Sequence, residues 1–421
     1  MLKKFGGKII SINLNDKSFD LIDDYNVEEL MGDEGILFLT GTMTGSNIAT
    51  GGRYNILAKS LKTGELSVSN TGGLWGRRLA YSGFKGVLVR GNADSPVRVV
   101  IDGRSEEKKI TIEDAKDLWG KGSEEVNKCL KDIYGKDSSS IYIGPAGERE
   151  ILVSCLINDG ATAAGRDSFG AIFGSKNLKA ITVISNPTVD MDRDLMKEKL
   201  HADYKDFEGD KYILEALIDS LGRDISDEVF EGRVAKALEE GVNPGCYSCP
   251  VMCKKGLAKK KDYQDHKYFW NFGNVERDLY NKRANDLAND MGLDSIGLVN
   301  YINWAVETGK SSYNLDWNNG NEVLKFIEGL LNDEKEIARL NEYVSEAGKA
   351  REAKIVKSTS QILKRKNDLS DLIDYMGLCL FSNAKMSADS YRILYNVVTG
   401  NNLTLNEFIN LKVFYNKKRS T

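Results

Sequence analysis

Three of the six cysteines in this 421-residue chain fall within eight residues, in the run Cys246-Tyr247-Ser248-Cys249-Pro250-Val251-Met252-Cys253. Thiolates at C-x2-C-x3-C spacing repel one another unless a cation sits among them. A metal centre with a soft, tetrahedral preference for sulfur removes that conflict. Three local ligands leave a fourth to be brought from elsewhere, so the chain must fold back on this run. Cys379 is the best candidate, because it belongs to a second motif described below. Cys129 and Cys155 stand without cysteine neighbours and read as small buried hydrophobes. A cubane iron–sulfur cluster often takes three cysteines from one short run and one from a distance. Structural zinc usually uses two separated C-x2-C pairs, and one is present here. A disulfide needs an oxidising compartment, and nothing else in the chain looks secreted. The order is the reverse of the C-x3-C-x2-C run of radical enzymes that cleave S-adenosylmethionine. A [4Fe–4S] cluster is therefore the favoured reading, with zinc second.

Other readings are excluded by charge and residue supply. The formal net charge of −4 argues against general nucleic-acid affinity. No apolar stretch approaches the length of a membrane span. The opening Lys8–Leu14 alternates like a strand, unlike a signal peptide. Reduced cysteines fit a cytoplasmic location. Only two histidines are present, His201 and His266, which leaves little material for a histidine metal site or a Ser-His-Asp triad.

The first 185 residues read as β-rich. Apolar or alternating runs recur at Lys8–Leu14, Gly35–Leu39, Arg53–Lys59, Gly86–Gly91, Val97–Ile101, Ser140–Ile143, Ile151–Ile157 and Ala180–Ile184, punctuated by Gly, Asn and Asp. One helix is expected over about 112–135 and a short one around Leu79 and Ala80. Three glycine loops stand out: Thr50–Asn55, Asn70–Gly73, and Ala163–Arg166 leading into Gly170–Ile181. Such loops aim backbone N–H groups at an anion, and Arg53 and Arg166 can add a planar fork for phosphate. Tight turns with surface arginines are the plainer alternative. No loop matches the Walker A or dinucleotide fingerprint.

From 190 onward the pattern is helical, at 192–205, 212–221 and 227–240, then at about 275–290, 294–308, 321–332, 335–350 and 356–375. Residues 311–370 read as an exposed helical hairpin. The basic stretch Lys254–Lys261 is a solvated loop or a docking patch for an acidic electron carrier. No internal repeat is visible along the sequence. The expected division is 1–185, 186–310 and 311–421.

Two short motifs echo each other: Asn289-Asp290-Met291-Gly292-Leu293-Asp294 and Asp374-Tyr375-Met376-Gly377-Leu378-Cys379. Each reads as a glycine turn closing a helix. A carboxylate there can accept from the N–H groups of a pterin, in bonds worth about 1.5–3 kcal/mol each.

Taken together, these segments resemble the tungsten-containing aldehyde:ferredoxin oxidoreductase family. The matching segments are Gly51–Asn55, Asn70–Gly73, Ala163–Ile181, Cys246–Cys253, Asn289–Asp294 and Asp374–Cys379. The resemblance implies an α+β fold, with a β-rich base for a tungsten (or molybdenum) bis-pterin followed by helical domains. It implies Cys246, Cys249, Cys253 and Cys379 as ligands of a [4Fe–4S] cluster. It places Arg53, Asn70, Ala164, Gly165 and Arg166 near pterin phosphates and a bridging magnesium. Asn289 and Asp294 fall at one pterin ring, and Asp374 and Leu378 at the other.

The implied activity is oxidation of a small aldehyde to a carboxylate, with electrons passed to ferredoxin or a similar acidic carrier. A second copy or a larger redox subunit is the other implied partner. Several positions depart from the pattern. Asn289 replaces an aspartate. Lys267 stands near the place of a glutamate before the turn Trp270-Asn271-Phe272-Gly273. An Asp-Pro-Arg-Gly stretch and an active-site histidine have no counterpart. Arg283 and Asp286 replace the Glu-x-x-His of some family dimers. No catalytic side chain is therefore named. The alternative is a reduced member acting as a cluster-bearing electron-transfer or scaffold subunit.

Overall fold

The computed structural model describes residues 7–23, 34–46, 51–160, 162–165, 167–186, 278–358, 372–379 and 387–411, with Leu30, Ile48 and Glu198 as isolated positions. The strands of the first 185 residues form two six-stranded sheets. The first contains β1 (Ile9–Asn13), β2 (Ser18–Ile22), β3 (Ile36–Thr40), β4 (Tyr54–Lys59), β5 (Leu66–Thr71) and β6 (Gly86–Arg90). The second contains β7 (Val97–Asp102), β8 (Lys109–Asp114), β9 (Ser138–Tyr142), β10 (Leu156–Asn158), β11 (Thr162–Ala164) and β12 (Leu178–Ile184).

The two sheets share one topology. Their orders are β2-β1-β6-β3-β4-β5 and β8-β7-β12-β9-β10-β11, with β1–β6 and β7–β12 the parallel pairs. A short helix precedes the last strand of each: α1 (Trp75–Tyr81) and, after α2 (Ser123–Tyr134) and α3 (Pro145–Glu148), α4 (Phe169–Ser175). The correspondence reaches single bonds. Thr40 N donates to Lys85 O at 3.0 Å, and Ile143 N donates to Lys179 O at 3.1 Å. Asn13 and Asp102 each end the first strand of their sheet with a side-chain oxygen accepting the backbone N–H two residues on. The repeat unseen in the sequence is thus present in the backbone pairing, which constrains side chains only to face a core or solvent.

One apolar cluster draws on both sheets and on α1 and α4, from Ile10, Phe38 and Ile56 to Val99, Ile141 and Ile181. Trp75 lies at its centre, edge-on to Phe38 at 5.4 Å, and donates its indole N–H to Ile181 O at 2.9 Å. The bond matters because a buried indole N–H without a partner is costly.

Seven of the eight strand runs expected from sequence are present; the eighth, Ile151–Ile157, is strand only from Leu156, because 151–155 turn to meet the 289–294 segment. Those not anticipated, β2, β5, β8 and β11, are the outermost strands of the two sheets. β3, β9 and β12 are buried along their whole length, and β3 reads as an apolar run, while β9 buries three serines and β12 buries Lys179 and Thr182; β2 is almost wholly exposed and β8 half-exposed. The helix expected over 112–135 is shorter. Ile110-Thr111-Ile112 alternates as a strand against β7, and the helix starts at Ser123, past Gly120 and Gly122.

Among the described residues the next helices are α5 (Asp278–Met291), α6 (Ser295–Thr308), α7 (Gly320–Leu330) and α8 (Glu334–Ser358). The exposed hairpin expected at 311–370 is corrected for its described part. Val323, Phe326, Ile327 and Leu330 on α7, and Ile337 and Leu340 on α8, are buried in one cluster with Leu298, Tyr301 and Ile302 of α6. A second cluster joins Leu372, Ile373, Met376 and Leu378 to α9 (Ala388–Thr399) and Phe408 of α10 (Leu405–Ile409). The expected helices at 192–240 lie outside the described residues. Among the described residues, no helix is long and apolar enough to cross a membrane.

Two buried carboxylates hold loops. Glu148 pairs with Lys179, whose side chain is fully buried, and also accepts from Gly120 N at 2.8 Å. Removing one partner of such a pair leaves an uncompensated buried charge. Glu148→Gln is expected to lower unfolding free energy by roughly 3–5 kcal/mol in urea titrations. Adding Lys179→Met should recover most of the loss; a double variant as unstable as the single one would refute the pairing.

Glu336 is the other. It accepts from Tyr301 Oη at 2.7 Å, Ser311 Oγ at 2.6 Å and Ser312 N at 2.9 Å, and pairs with Arg339. Burial pushes its carboxyl up, but these donors outweigh it and hold the carboxyl below the ordinary value of 4.5. The folded value being the lower, its stabilisation is complete above about pH 4.5 and fades as pH falls through the folded value. Glu336→Gln should flatten the acid limb of the stability–pH curve. An unchanged slope below pH 5 would contradict this account.

Candidate functional site

The two echoing motifs are helix C-caps of one design. Gly292 and Gly377 lie in the left-handed region at φ 77° and 74°. In each, the glycine N–H bonds three residues back at 3.0 Å, and the following leucine N–H bonds five residues back, at 2.8 Å to Ala288 O and 3.0 Å to Ile373 O. This is the double bond pattern that a glycine cap permits.

Both turns dock on the sheets, at equivalent places. The 374–379 turn meets the segment after β3. Thr42 N and Met43 N donate to Tyr375 O and Met376 O at 3.1 and 2.7 Å, and Arg53 N donates to Gly377 O at 3.3 Å. The 289–294 turn meets the segment after β9. Cys155 N donates to Gly292 O at 2.9 Å and Asp294 N to Val153 O at 2.7 Å. Ser154 and Leu293 form an antiparallel bridge. Contact is backbone to backbone because glycines face glycines: a Cβ on Gly41 would sit 2.1 Å from Gly377 N, and one on Gly144 would sit 2.8 Å from Gly292 N. Met43 and Ile48 enter one helical cluster, while Ala146, Ile151 and Val153 enter the other.

The expected site residues divide between the two turns. On the first sheet, Arg53 Nε donates to Asn70 Oδ1, and its NH2 donates to Asn70 O at 2.6 Å. Asn70 Nδ2 donates to Asn55 Oδ1 at 3.2 Å, and Asn55 Nδ2 donates to Asp374 O at 2.7 Å. Leu378 is fully buried and Cys379 nearly so. On the second sheet, Ala164 pairs with Leu156, and a Cβ on Gly165 would reach within 3.0 Å of the Asp294 carboxylate. Asp294 also caps α6, accepting from Ile296 N at 3.3 Å. Asn289 is exposed, and its carbonyl accepts from Ser123 Oγ at 2.9 Å. The two groups adjoin where Gly72 O accepts from Asn158 Nδ2 at 3.2 Å and Thr162 Oγ1 at 3.0 Å.

Lys85, at the place that Lys179 holds in the second sheet, is drawn down to about 8 by burial. Cys155 is buried as expected and donates Sγ–H to Gly292 O at 3.3 Å, while Cys129 is only half-buried. Arg166, Cys246, Cys249 and Cys253 lie outside the described residues, as do Lys254–Lys261, Lys267 and the turn at 270–273. Among the described residues, no group of three or more His, Cys, Asp or Glu is arranged to hold a metal. Asn55, Gly41 and Gly144 were not singled out from sequence. The available signal was a glycine directly after a strand in each sheet.

A β-rich base made of two matched sheets, carrying two helical clusters on glycine turns, defines an α+β architecture. Residues 2–185 match the aldehyde ferredoxin oxidoreductase N-terminal domain, and residues 219–342 match domains 2 and 3 of the same family. The chain belongs to the aldehyde ferredoxin oxidoreductase family. It is 32% identical over 317 residues to a tungsten-containing aldehyde ferredoxin oxidoreductase of Pyrococcus abyssi, covering 68% of this chain and 51% of that protein. It is 27% identical over 364 residues to the aliphatic sulfonate oxidoreductase, WOR-like subunit, of Pyrococcus furiosus, covering 73% of this chain and 55% of that protein. The chain spans about half the length of the curated relatives it matches. The active-site complex BamBC of benzoyl coenzyme A reductase with 1,5-dienoyl-CoA shares the fold, with a TM-score of 0.58 at 19% identity over 81% of this chain and 63% of that chain.

The glycine contacts yield a local test. Gly41→Ala forces apart the Gly41–Gly377 approach, so amides of 372–379 should exchange much faster while β1–β12 stay protected. Unchanged exchange at Met376 to Cys379 would show that the close approach does not hold the turn.

Proposed function

We propose that this chain is an iron–sulfur, tungsten (or molybdenum) bis-pterin oxidoreductase that converts a small aldehyde to a carboxylate and passes two electrons, singly, to ferredoxin. The supporting observation is the paired docking of the two Gly–Leu turns on matched sheets, one of them ending in Cys379. The residues in place suit the group. Arg53 and Asn70 form a cationic and amide corner beside one turn. Asp374 and Asp294 would be the acceptors for pterin N–H groups, and Gly165 passes so close to the Asp294 carboxylate that a Cβ there would stand only 3.0 Å from it. In this reading residues 1–185 are the pterin-binding base, 186–310 carry Cys246, Cys249 and Cys253, and 311–421 carry Cys379.

The tungsten–pterin group would supply two-electron chemistry at the substrate, and the cluster a one-electron path outward. The chain's own residues bind and orient. Arg53 would neutralise phosphate, and Asn70 and Ala164 would adjoin a magnesium ion if one accompanies it. Leu378, fully buried next to Cys379, would keep water from a cluster held there, a condition that tunes such a cluster's potential. The Lys254–Lys261 run would dock the acidic carrier.

Metal analysis after anaerobic purification tests this reading. About four iron and one tungsten or molybdenum per chain are expected, and Cys249→Ser should abolish the iron–sulfur absorbance. Iron without either heavier metal, and no released pterin, would refute the enzyme and leave the electron-transfer or scaffold subunit. Iron unchanged in Cys249→Ser would refute the cluster assignment.

A further inference from the structure

The matched sheets supply an internal comparison for one buried side chain. Arg53 N and Cys155 N play the same part, each donating to the carbonyl of a turn glycine. Counting along the strands from that pair, Asn55 corresponds to Ile157. Its cross-strand partner Asn70 corresponds to Ala163, the partner of Ile157. At these two strand positions the second half therefore carries apolar residues where the first half carries two amides. The second half's turn takes its side-chain bonds from Ser123 and Cys155 instead of from a strand-borne amide pair.

An amide at a fully buried position is costly unless its groups are bonded, so Asn55 needs a reason that Ile157 does not share. Its bonds supply one. Oδ1 accepts from Asn70 at 3.2 Å, while Nδ2 donates to Asp374 O at 2.7 Å. Asn70 is in turn gripped twice by Arg53. A continuous path of hydrogen bonds thus runs from a guanidinium, through two amides, to the first residue of the turn that ends in Cys379.

We propose that Asn55 is a positioning residue, the buried amide that locks the Cys379 turn to the Arg53–Asn70 loop so that the thiol and the proposed phosphate-binding corner keep one fixed geometry. This rests on the reading of Cys379 as a cluster ligand. In the second half the matching carbonyl, Asn289 O, accepts instead from Ser123 Oγ at the start of α2, so that turn, which ends in Asp294, is tied to a helix and not to a strand-borne amide pair.

The test uses the full-length chain. Iron is counted first and then stripped, and Cys379 is alkylated with iodoacetamide under native conditions, with Cys155 read in the same digest. Asn55→Ile copies the residue of the other half. It should raise the Cys379 rate roughly tenfold, the factor that one lost hydrogen bond of ordinary strength allows, and leave Cys155 unchanged. Asn70→Ala should act in the same direction, and the double variant should go no further than Asn55→Ile alone. In the iron-loaded chain, both single variants should alter the electron paramagnetic resonance g-values of the reduced cluster.

A wild-type Cys379 rate in Asn55→Ile overturns the proposal, as does a parallel rise at Cys155, which would indicate general loosening. If Asn55→Ile does not fold, Asn70→Ala decides by the same two readouts. A wild-type chain that holds no iron sinks the cluster reading, while the alkylation rates still judge Asn55.

Discussion

Close approach of backbone to backbone at paired glycines is the constraint on which the rest of this molecule depends. Gly41 against Gly377, and Gly144 against Gly292, are contacts that a single methyl group would block. Because no side chain intervenes, the amides after β3 and β9 reach the turn carbonyls directly. Each helical cluster is thereby held to its sheet by main-chain bonds that do not depend on side-chain rotamers. Apolar residues from the same segments, Met43 on one side and Val153 on the other, then seal the joint. Binding groups fixed in this way lose little freedom when a cofactor arrives, and that is the condition for a well-defined redox site.

The repeated base turns this local device into a site with two sides. One topology used twice brings two turns to equivalent places, and the seam at Gly72 joins the edges from which Asn70 and Ala164 are presented. The halves have diverged in chemistry while keeping their geometry. The first carries Arg53, Asn55, Asn70 and Cys379; the second carries Cys155, Ile157, Ala163 and Asp294 at the matching positions. Polarity is concentrated on the side that would adjoin the cluster.

What could be read beforehand follows from what each feature demands of the side chains. Central strands buried on both faces favour apolar runs, which makes Ile36–Leu39 of β3 and Gly86–Val89 of β6 legible. Edge strands such as β2 and β8 bury little and left no such mark. The Gly–Leu turns were legible because a left-handed residue favours glycine. Their docking was not, since it is made by peptide groups that every residue carries. The internal repeat was hidden for the same reason. Residues 311–370 read as a surface element because Lys, Glu and Asn are frequent and aromatics few, yet the apolar positions at 323, 327, 330, 337 and 340 fall on buried faces. Asn55 was overlooked because a lone asparagine in a strand gives no sign of its partner more than three hundred residues away.

The central claim is spatial: two turns from the helical half meet a duplicated base and enclose one metal cofactor, with Cys379 at the cluster on its first-sheet side. Anomalous diffraction from crystals of the anaerobically purified chain addresses it directly. The account predicts one heavy-metal peak flanked by the 289–294 and 374–379 turns, and an iron peak within bonding distance of Cys379 Sγ. Iron bound elsewhere, with Cys379 remote from it, would contradict the account.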